Sequence, residues 1–184
     1  MDTKHVSLPP KRRPRGFSLI EAMVVVAVTA VVATAAVPSL VDFIDGRRLD
    51  AAAAALVADI QFVRTEAVAR NQPIRISFHD AASGGTCWVV HTGPAAQCSC
   101  GEAAPATCAG GAMEIKTVVL GAADRVSVRA NVASIAFDPM HGTSTPTGTL
   151  RLVDGSGRAV HHVVNVMGRV RSCTPAGVPG WRAC

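Results

Sequence analysis

The sequence predicts an α+β protein in which a long N-terminal helix, membrane-spanning in its first half, packs on a head of antiparallel β-sheet. A long apolar run lies near the N-terminus, an amphipathic pattern follows it, and short β-like runs separated by turn residues fill the remainder. A chain of 184 residues has room for one modest globular domain and an attached segment.

Residues 1–16 predict a short basic leader. They contain five of the 18 lysines and arginines and one acidic residue, so most of the net charge of +5 belongs to them. The overall charge is therefore no argument for nucleic-acid binding. Residues 151–184 are an exception within the balanced remainder, because five arginines face one acidic residue, Asp154.

Residues 17–38 predict a transmembrane helix. Glu21 is the only charge among them, and at about 1.5 Å per residue they span the roughly 30 Å hydrocarbon core of a bilayer. The preceding basic residues favour a cytoplasmic N-terminus, which places the residues after 40 on the other side of the membrane. A cleavable secretory signal is the alternative, with an imperfect site at 33–35, but this apolar run is too long and contains a carboxylate.

Glu21 is costly inside an apolar span, and such residues usually have a specific partner. Cleavage between Gly16 and Phe17 would create an α-amino group about one helical turn away. The same amino group on a neighbouring subunit could pair with Glu21, which predicts a role in assembly.

The hexapeptide GFSLIE at 16–21, between a basic leader and an apolar run, resembles the prepilin peptidase site of type IV pilins and type II secretion pseudopilins. The resemblance implies cleavage after Gly16, N-methylation of Phe17 and assembly through Glu21. Pro38 lies where many pilins have a helix-bending proline. The implied partners are prepilin peptidase, the bacterial inner membrane and other pilins, and the implied destination is a pilus.

Residues 39–72 predict an amphipathic continuation of the helix. Apolar residues recur mostly three, four or seven positions apart, and Asn71-Gln72-Pro73 should end the helix near Arg70. The charged positions are expected to face solvent: Asp42, Asp45, Arg47, Arg48, Asp50, Asp59, Arg64 and Glu66.

Residues 73–184 predict a β-rich head, which the resemblance makes pilin/pseudopilin-like. Residues 92–112 are rich in Gly, Pro, Ala and Cys and predict a long surface loop. Seven β-like runs are separated by turn residues: 74–79, 86–91, 113–119, 125–128, 134–137, 149–153 and 159–165.

All cysteines lie beyond the apolar segment, which predicts disulfides in an exported domain: Cys87, Cys98, Cys100, Cys108, Cys173 and Cys184. The first four can staple the 92–112 loop with two bonds. A bond between the last two would close a short C-terminal loop. Zinc held by Cys98, Cys100 and His91 is the alternative, but structural zinc sites usually contain paired C-x2-4-C spacings. We expect no metal and no cofactor.

No catalytic constellation stands out, which argues against an enzyme such as an exported, membrane-anchored hydrolase. The sequence contains neither a phosphate-binding glycine motif nor G-x-S-x-G. His161 and His162 lie in one β-like run, so one should point inward and the other outward.

The candidate binding site is the C-terminal tail, residues 168–184. Arg169 and Arg171 are two positions apart, so an extended chain places both on one face, where they can bind adjacent phosphates. Gly168 permits an unusual dihedral and a close approach to a ligand. The C-terminal loop would bring Arg182 close to this pair. Two solvated arginines on a surface strand are the alternative, and Trp181 could stack on a base or pack on its own domain.

Residues 51–75 look like the FimT/GspH group of minor pilins and pseudopilins, and GRVRSC at 168–173 looks like the GRxR-type ending of the FimT branch. Competence-linked members of that branch bind DNA for uptake in natural transformation. The resemblance implies DNA binding by Arg169 and Arg171, and the C-terminal loop would add Arg182. Phosphate contacts by three arginines give only weak, sequence-independent affinity, so we expect weak and non-specific DNA binding. A GspH-type minor pseudopilin of a type II secretion system is the alternative.

Overall fold

A computed structural model describes residues 16–81, 84–101, 105–175 and 177–184. The predicted leader, apart from Gly16, lies outside these residues. The chain divides into two compact units, of which the first ends at Leu40 and the second comprises Val41–Cys184.

Helix α1 comprises Leu19–Arg70 and contains Pro38. It begins after Ser18, whose Oγ accepts a hydrogen bond from the Glu21 backbone N–H at 3.2 Å, as an N-cap residue does. Up to Leu40 its residues are exposed, and its most apolar 18-residue window has a mean hydropathy of 2.4, so by length and composition it can cross a membrane. The predicted end near Arg70 is confirmed.

One face of α1 is buried in the second unit. Its apolar members recur three or four positions apart, which is the spacing of a single helical face: Leu49, Ala52, Ala53, Leu56, Ile60, Val63 and Ala67. Two acidic residues are also buried, because donors from the head reach them. Asp45 pairs with Arg125, and Asp59 accepts from Trp88. The prediction that Asp45 and Asp59 face solvent was therefore wrong.

The described part of the head contains eleven strands. In chain order they are β1 (Ile74–Ala81), β2 (Gly85–Thr92), β3 (Cys98–Ser99), β4 (Thr107–Cys108), β5 (Glu114–Leu120), β6 (Val126–Ala130), β7 (Ser134–Phe137), β8 (Ser144–Thr145), β9 (Gly148–Asp154), β10 (Ala159–Val164) and β11 (Val170–Cys173). All seven predicted runs form strands, so the predicted antiparallel head is confirmed.

The strands form two main antiparallel sheets and one small hairpin. The five-stranded sheet has the order β5-β2-β1-β7-β8, the four-stranded sheet has the order β11-β10-β9-β6, and β3 pairs with β4. The buried face of α1 and the inward side chains of both main sheets form one apolar core around Trp88, Phe137 and Leu152. Thr86 Oγ1 of β2 accepts from the Val128 N–H of β6 at 2.8 Å and joins the two sheets.

The predicted surface loop at 92–112 is more ordered than expected in its described part. Cys98 of β3 and Cys108 of β4 lie directly opposite each other and form a disulfide bond. A second bond joins Cys87 of β2 to Cys100. These two bonds hold a small hairpin against the five-stranded sheet.

Candidate functional site

The tail begins with a turn that leads into edge strand β11. Gly168 has φ +69°, and a Cβ at this position would lie 2.8 Å from the Gly142 carbonyl oxygen. The turn is closed by Asn165, whose carbonyl accepts from the Gly168 N–H at 2.9 Å and whose Oδ1 accepts from the Arg169 N–H at 3.0 Å. Glycine is therefore required at 168 by close chain packing, and no ligand is needed to explain it.

Arg169 and Arg171 are both exposed. Arg171 lies in β11 opposite Val163 of β10, on the outward face of the four-stranded sheet. Among the residues that the structure describes, the guanidinium groups of Arg169, Arg171 and Arg182 form no ion pair. Their charge is therefore available to an external anion.

The C-terminal loop is closed by a disulfide bond between Cys173 and Cys184. Thr174 and Ala183 form a parallel bridge, in which the Thr174 N–H donates to the Arg182 carbonyl at 2.8 Å. Because side chains alternate along an extended chain, Arg182 lies on the same side as Cys184. That is the side of Cys173 and Arg171, so the closed loop adds Arg182 to the outward face.

Trp181 packs on its own domain. Its Nε1–H donates to Asp50 Oδ1 of α1 at 2.8 Å, and its ring meets His162 edge to face with centroids 6.0 Å apart. The ring is also packed against the apolar core. It anchors the C-terminal loop and is not displayed for stacking on a base.

The two adjacent histidines of β10 point in opposite directions, as predicted. His162 is fully buried, and its Nδ1 lies 2.8 Å from Ser172 Oγ. Burial lowers the pKa of His162 to about 4, opposed by the backbone of Ala53 and reinforced by His161. His161 is outward, and its pKa is lowered by partial burial and by the nearby charge of Arg151. Both rings are therefore neutral near pH 7.

His91, Cys98 and Cys100, the donors of the alternative zinc site, already have bonding partners within the chain. Its Nδ1–H donates to the Thr92 carbonyl, and its Nε2 accepts from Ser77 Oγ–H, both at 2.8 Å. Burial lowers its pKa, with the Thr92 backbone opposing. Cys98 and Cys100 are in disulfides. The donors of the alternative zinc site are therefore already bonded within the chain.

The segment predicted to act in processing and assembly lies at the start of α1. Phe17 is 87% exposed. Glu21 is in the first turn of the helix, where a carboxylate also interacts favourably with the positive end of the helix dipole. Glu21 therefore stabilises the start of α1, in addition to its predicted role in assembly.

Comparison with known protein families identifies the family to which this chain belongs. Residues 52–168 match the family described as type II transport protein GspH. The chain belongs to the GspH family. Residues 11–37 of this GspH-family protein also match the prokaryotic N-terminal methylation motif. The GspH family consists of pilin-like structural subunits. The match to it ends at Gly168, so the tail arginines lie beyond the matched region.

Individual relatives cover parts of the chain. The type II secretion system protein H of Xanthomonas campestris pv. campestris is 39% identical over 72 residues, which are 39% of this chain and 43% of that protein. Two crystal structures of the type IV minor pilin FimU from Pseudomonas aeruginosa are 17% and 20% identical, with TM-scores of 0.46 and 0.48. They cover 72% and 73% of this chain and 98% and 95% of their own chains.

Proposed function

We propose that this GspH-family protein is a minor type IV pilin that is anchored in the inner membrane, cut after Gly16 and assembled into a pilus, where its tail binds DNA for uptake. The observation that carries DNA binding is the set of three exposed tail arginines without an ion pair in the described chain. The periplasmic position of the head follows from the basic leader.

Phosphate contacts by three arginines give weak, sequence-independent affinity. Each neutralised phosphate contributes about −0.9 to the slope of log affinity against log salt for duplex DNA. The tail therefore accounts for a slope of about −2 to −3 and a dissociation constant in the micromolar range or weaker. Uptake would depend on several subunits or proteins acting together.

The test of DNA binding uses the full mature chain in a neutral detergent and random-sequence duplex DNA at low salt. Arg169→Gln with Arg171→Gln should abolish most of the tail's contribution without unfolding the head. The control, Arg47→Gln with Arg70→Gln, removes the same formal charge from exposed positions of α1. DNA uptake is the wrong function if the wild type does not bind, or if the tail variant binds as well as the control.

The proposal for processing and assembly is tested in cells that contain prepilin peptidase. Mass spectrometry should find a mature chain that begins at N-methylated Phe17. Glu21→Ala should still be inserted and cleaved but be lost from filaments, because a buried charge needs its partner. Ser18→Ala is the matched control, since it removes only the helix cap. Normal incorporation of Glu21→Ala would contradict the pairing with a neighbour's amino group.

A second candidate function is that of a minor pseudopilin in a type II secretion system. It is favoured by the 39% identity to the secretion protein H of Xanthomonas campestris pv. campestris over 72 residues. Deletion of the gene separates the two functions. Loss of transformation with intact protein secretion supports the pilin, whereas loss of secretion with intact transformation supports the pseudopilin.

A further inference from the structure

The outward face of the four-stranded sheet carries two arginines that are far apart in sequence. Arg129 of β6 lies directly opposite Arg151 of β9, and His161 of β10 lies opposite Arg151 on the other side. Both arginines are exposed. Directly opposed side chains have Cβ atoms about 4.5–5.5 Å apart, so the two guanidinium groups share one small area of surface.

No carboxylate compensates these charges on the outward face of the described strands. Its other members are neutral or basic: Ser127, Thr149, Val153, Ala159, His161, Val163, Arg171 and Cys173. Asp80 of β1 and Arg129 line one surface cleft, but among the described residues they form no ion pair with each other. Like charges directly opposite each other destabilise a sheet. A counter-charge from outside the described chain would relieve that cost.

Two other arginines of the head, unlike Arg129 and Arg151, are paired with carboxylates within the described chain. Arg125 pairs with Asp45 at 3.2 Å, and Arg158 pairs with Asp154 at 2.7 Å. Both of these pairs involve buried carboxylates, so Arg125 and Arg158 stabilise the fold by neutralising buried charges. Arg129 and Arg151 have no such partner among the described residues, and the fold does not explain why they are arginines.

The outward arginines are continuous with the tail. Neighbouring strands lie about 4.8 Å apart, so the three spacings from Arg129 on β6 to Arg171 on β11 span about 14 Å. Duplex DNA carries one charge per roughly 1.7 Å of its axis, so a surface of this width meets several phosphates. Arg151 lies between the two ends, which leaves no wide uncharged gap.

We propose that the outward face of the four-stranded sheet is a phosphate-binding surface for nucleic acid, in which Arg129 and Arg151 bind the backbone and the tail arginines form one edge. This proposal rests on the proposed function for the identity of the polymer. The ligand is recognised through its chain of phosphates, without base-specific contacts.

The experiment measures affinity of the full mature chain in neutral detergent for two probes, random-sequence duplex DNA and long-chain inorganic polyphosphate, across a salt series. Arg129→Gln with Arg151→Gln should weaken DNA binding about tenfold at low salt and make the salt slope shallower by about 2. Arg129→Lys with Arg151→Lys keeps the charge and should retain the slope. The control variant, Arg47→Gln with Arg70→Gln, should change affinity less than about twofold.

The outcomes separate this proposal from DNA uptake. If the wild type binds polyphosphate through Arg129 and Arg151 but does not bind DNA, the proposed function fails and the phosphate-binding surface stands. If the sheet variant matches the control on both probes, or the wild type binds neither probe, the surface is overturned. Thermal unfolding of the Arg129/Arg151 glutamine variant should start no lower than that of the wild type, which excludes misfolding as the cause of lost binding.

Discussion

The two faces of the four-stranded sheet differ in chemistry although they alternate along the same strands. The inward face presents Leu150, Leu152, Val160 and the neutral His162 to the core, all fully buried. The outward face presents Arg129, Arg151 and Arg171 to solvent. Adjacent residues of one strand therefore point either into the core or to solvent. Substitutions on the inward face should affect stability, and substitutions on the outward face should affect binding.

Leu152→Ala should have the largest effect on stability. It removes a fully buried side chain from the inward face and should lower the free energy of unfolding by about 2–5 kcal/mol. Its exposed neighbour Arg151→Ala should change that free energy by less than about 1 kcal/mol. Chemical denaturation of both variants measures the difference, and equal losses would contradict the assignment of the two faces.

His162 should make the inward face sensitive to acid. Its pKa is about 4 in the fold and about 6.5 when unfolded, so the unfolded state binds the proton more readily between these values. The contribution of neutral His162 to stability is therefore complete above pH 6.5. The free energy of unfolding should fall by roughly 2–3 kcal/mol between pH 7.5 and pH 4.5. Burial of the ring is the main cause of the lowered pKa of His162, with the Ala53 backbone opposing it and His161 reinforcing it. Ser172 and Trp181 also contact the ring.

Unfolding of His162→Gln at both pH values, compared with the wild type, tests this prediction. The variant should lose much of the acid sensitivity. The outward control His161→Gln should retain it, because His161 is partly exposed. Acid sensitivity that persists unchanged in His162→Gln would assign it to other groups.

The smallest effect concerns the outward arginine pair. Replacing Arg129 or Arg151 with threonine removes a like-charge contact and should raise the free energy of unfolding by about 0.2–1 kcal/mol at low salt. The gain should disappear at high salt, because exposed charges are then screened. A loss of stability at low salt would mean that these arginines contribute to the fold.

The main elements of this fold could be predicted from local patterns. Pro73 and the polar residues before it indicated the helix end at Arg70, and seven β-like runs became strands. Strict alternation also predicted that His161 and His162 point in opposite directions. Each of these features depends on neighbours within a few residues, which is the range over which sequence patterns carry information.

Features that depend on distant partners were not predictable in the same way. Asp59 was assigned to solvent because its partners, Trp88 and Lys116, are 29 and 57 positions away. Arg129 and Arg151 become neighbours only through the register of β6 and β9. The short strands β3, β4 and β8 contain two residues each, too few to show a period.

The three carboxylates of α1 that bind the head have a mechanical consequence. Asp45, Asp50 and Asp59 contact Arg125, Trp181 and Trp88, so each attaches the helix to a different segment of the head. The first and the last of them are 14 positions apart, or about 21 Å along the helix. A pull along the helix axis would load all three attachments together in shear, whereas a sideways pull would break them one after another. The attachment is therefore strongest in the direction of a force transmitted along the helix.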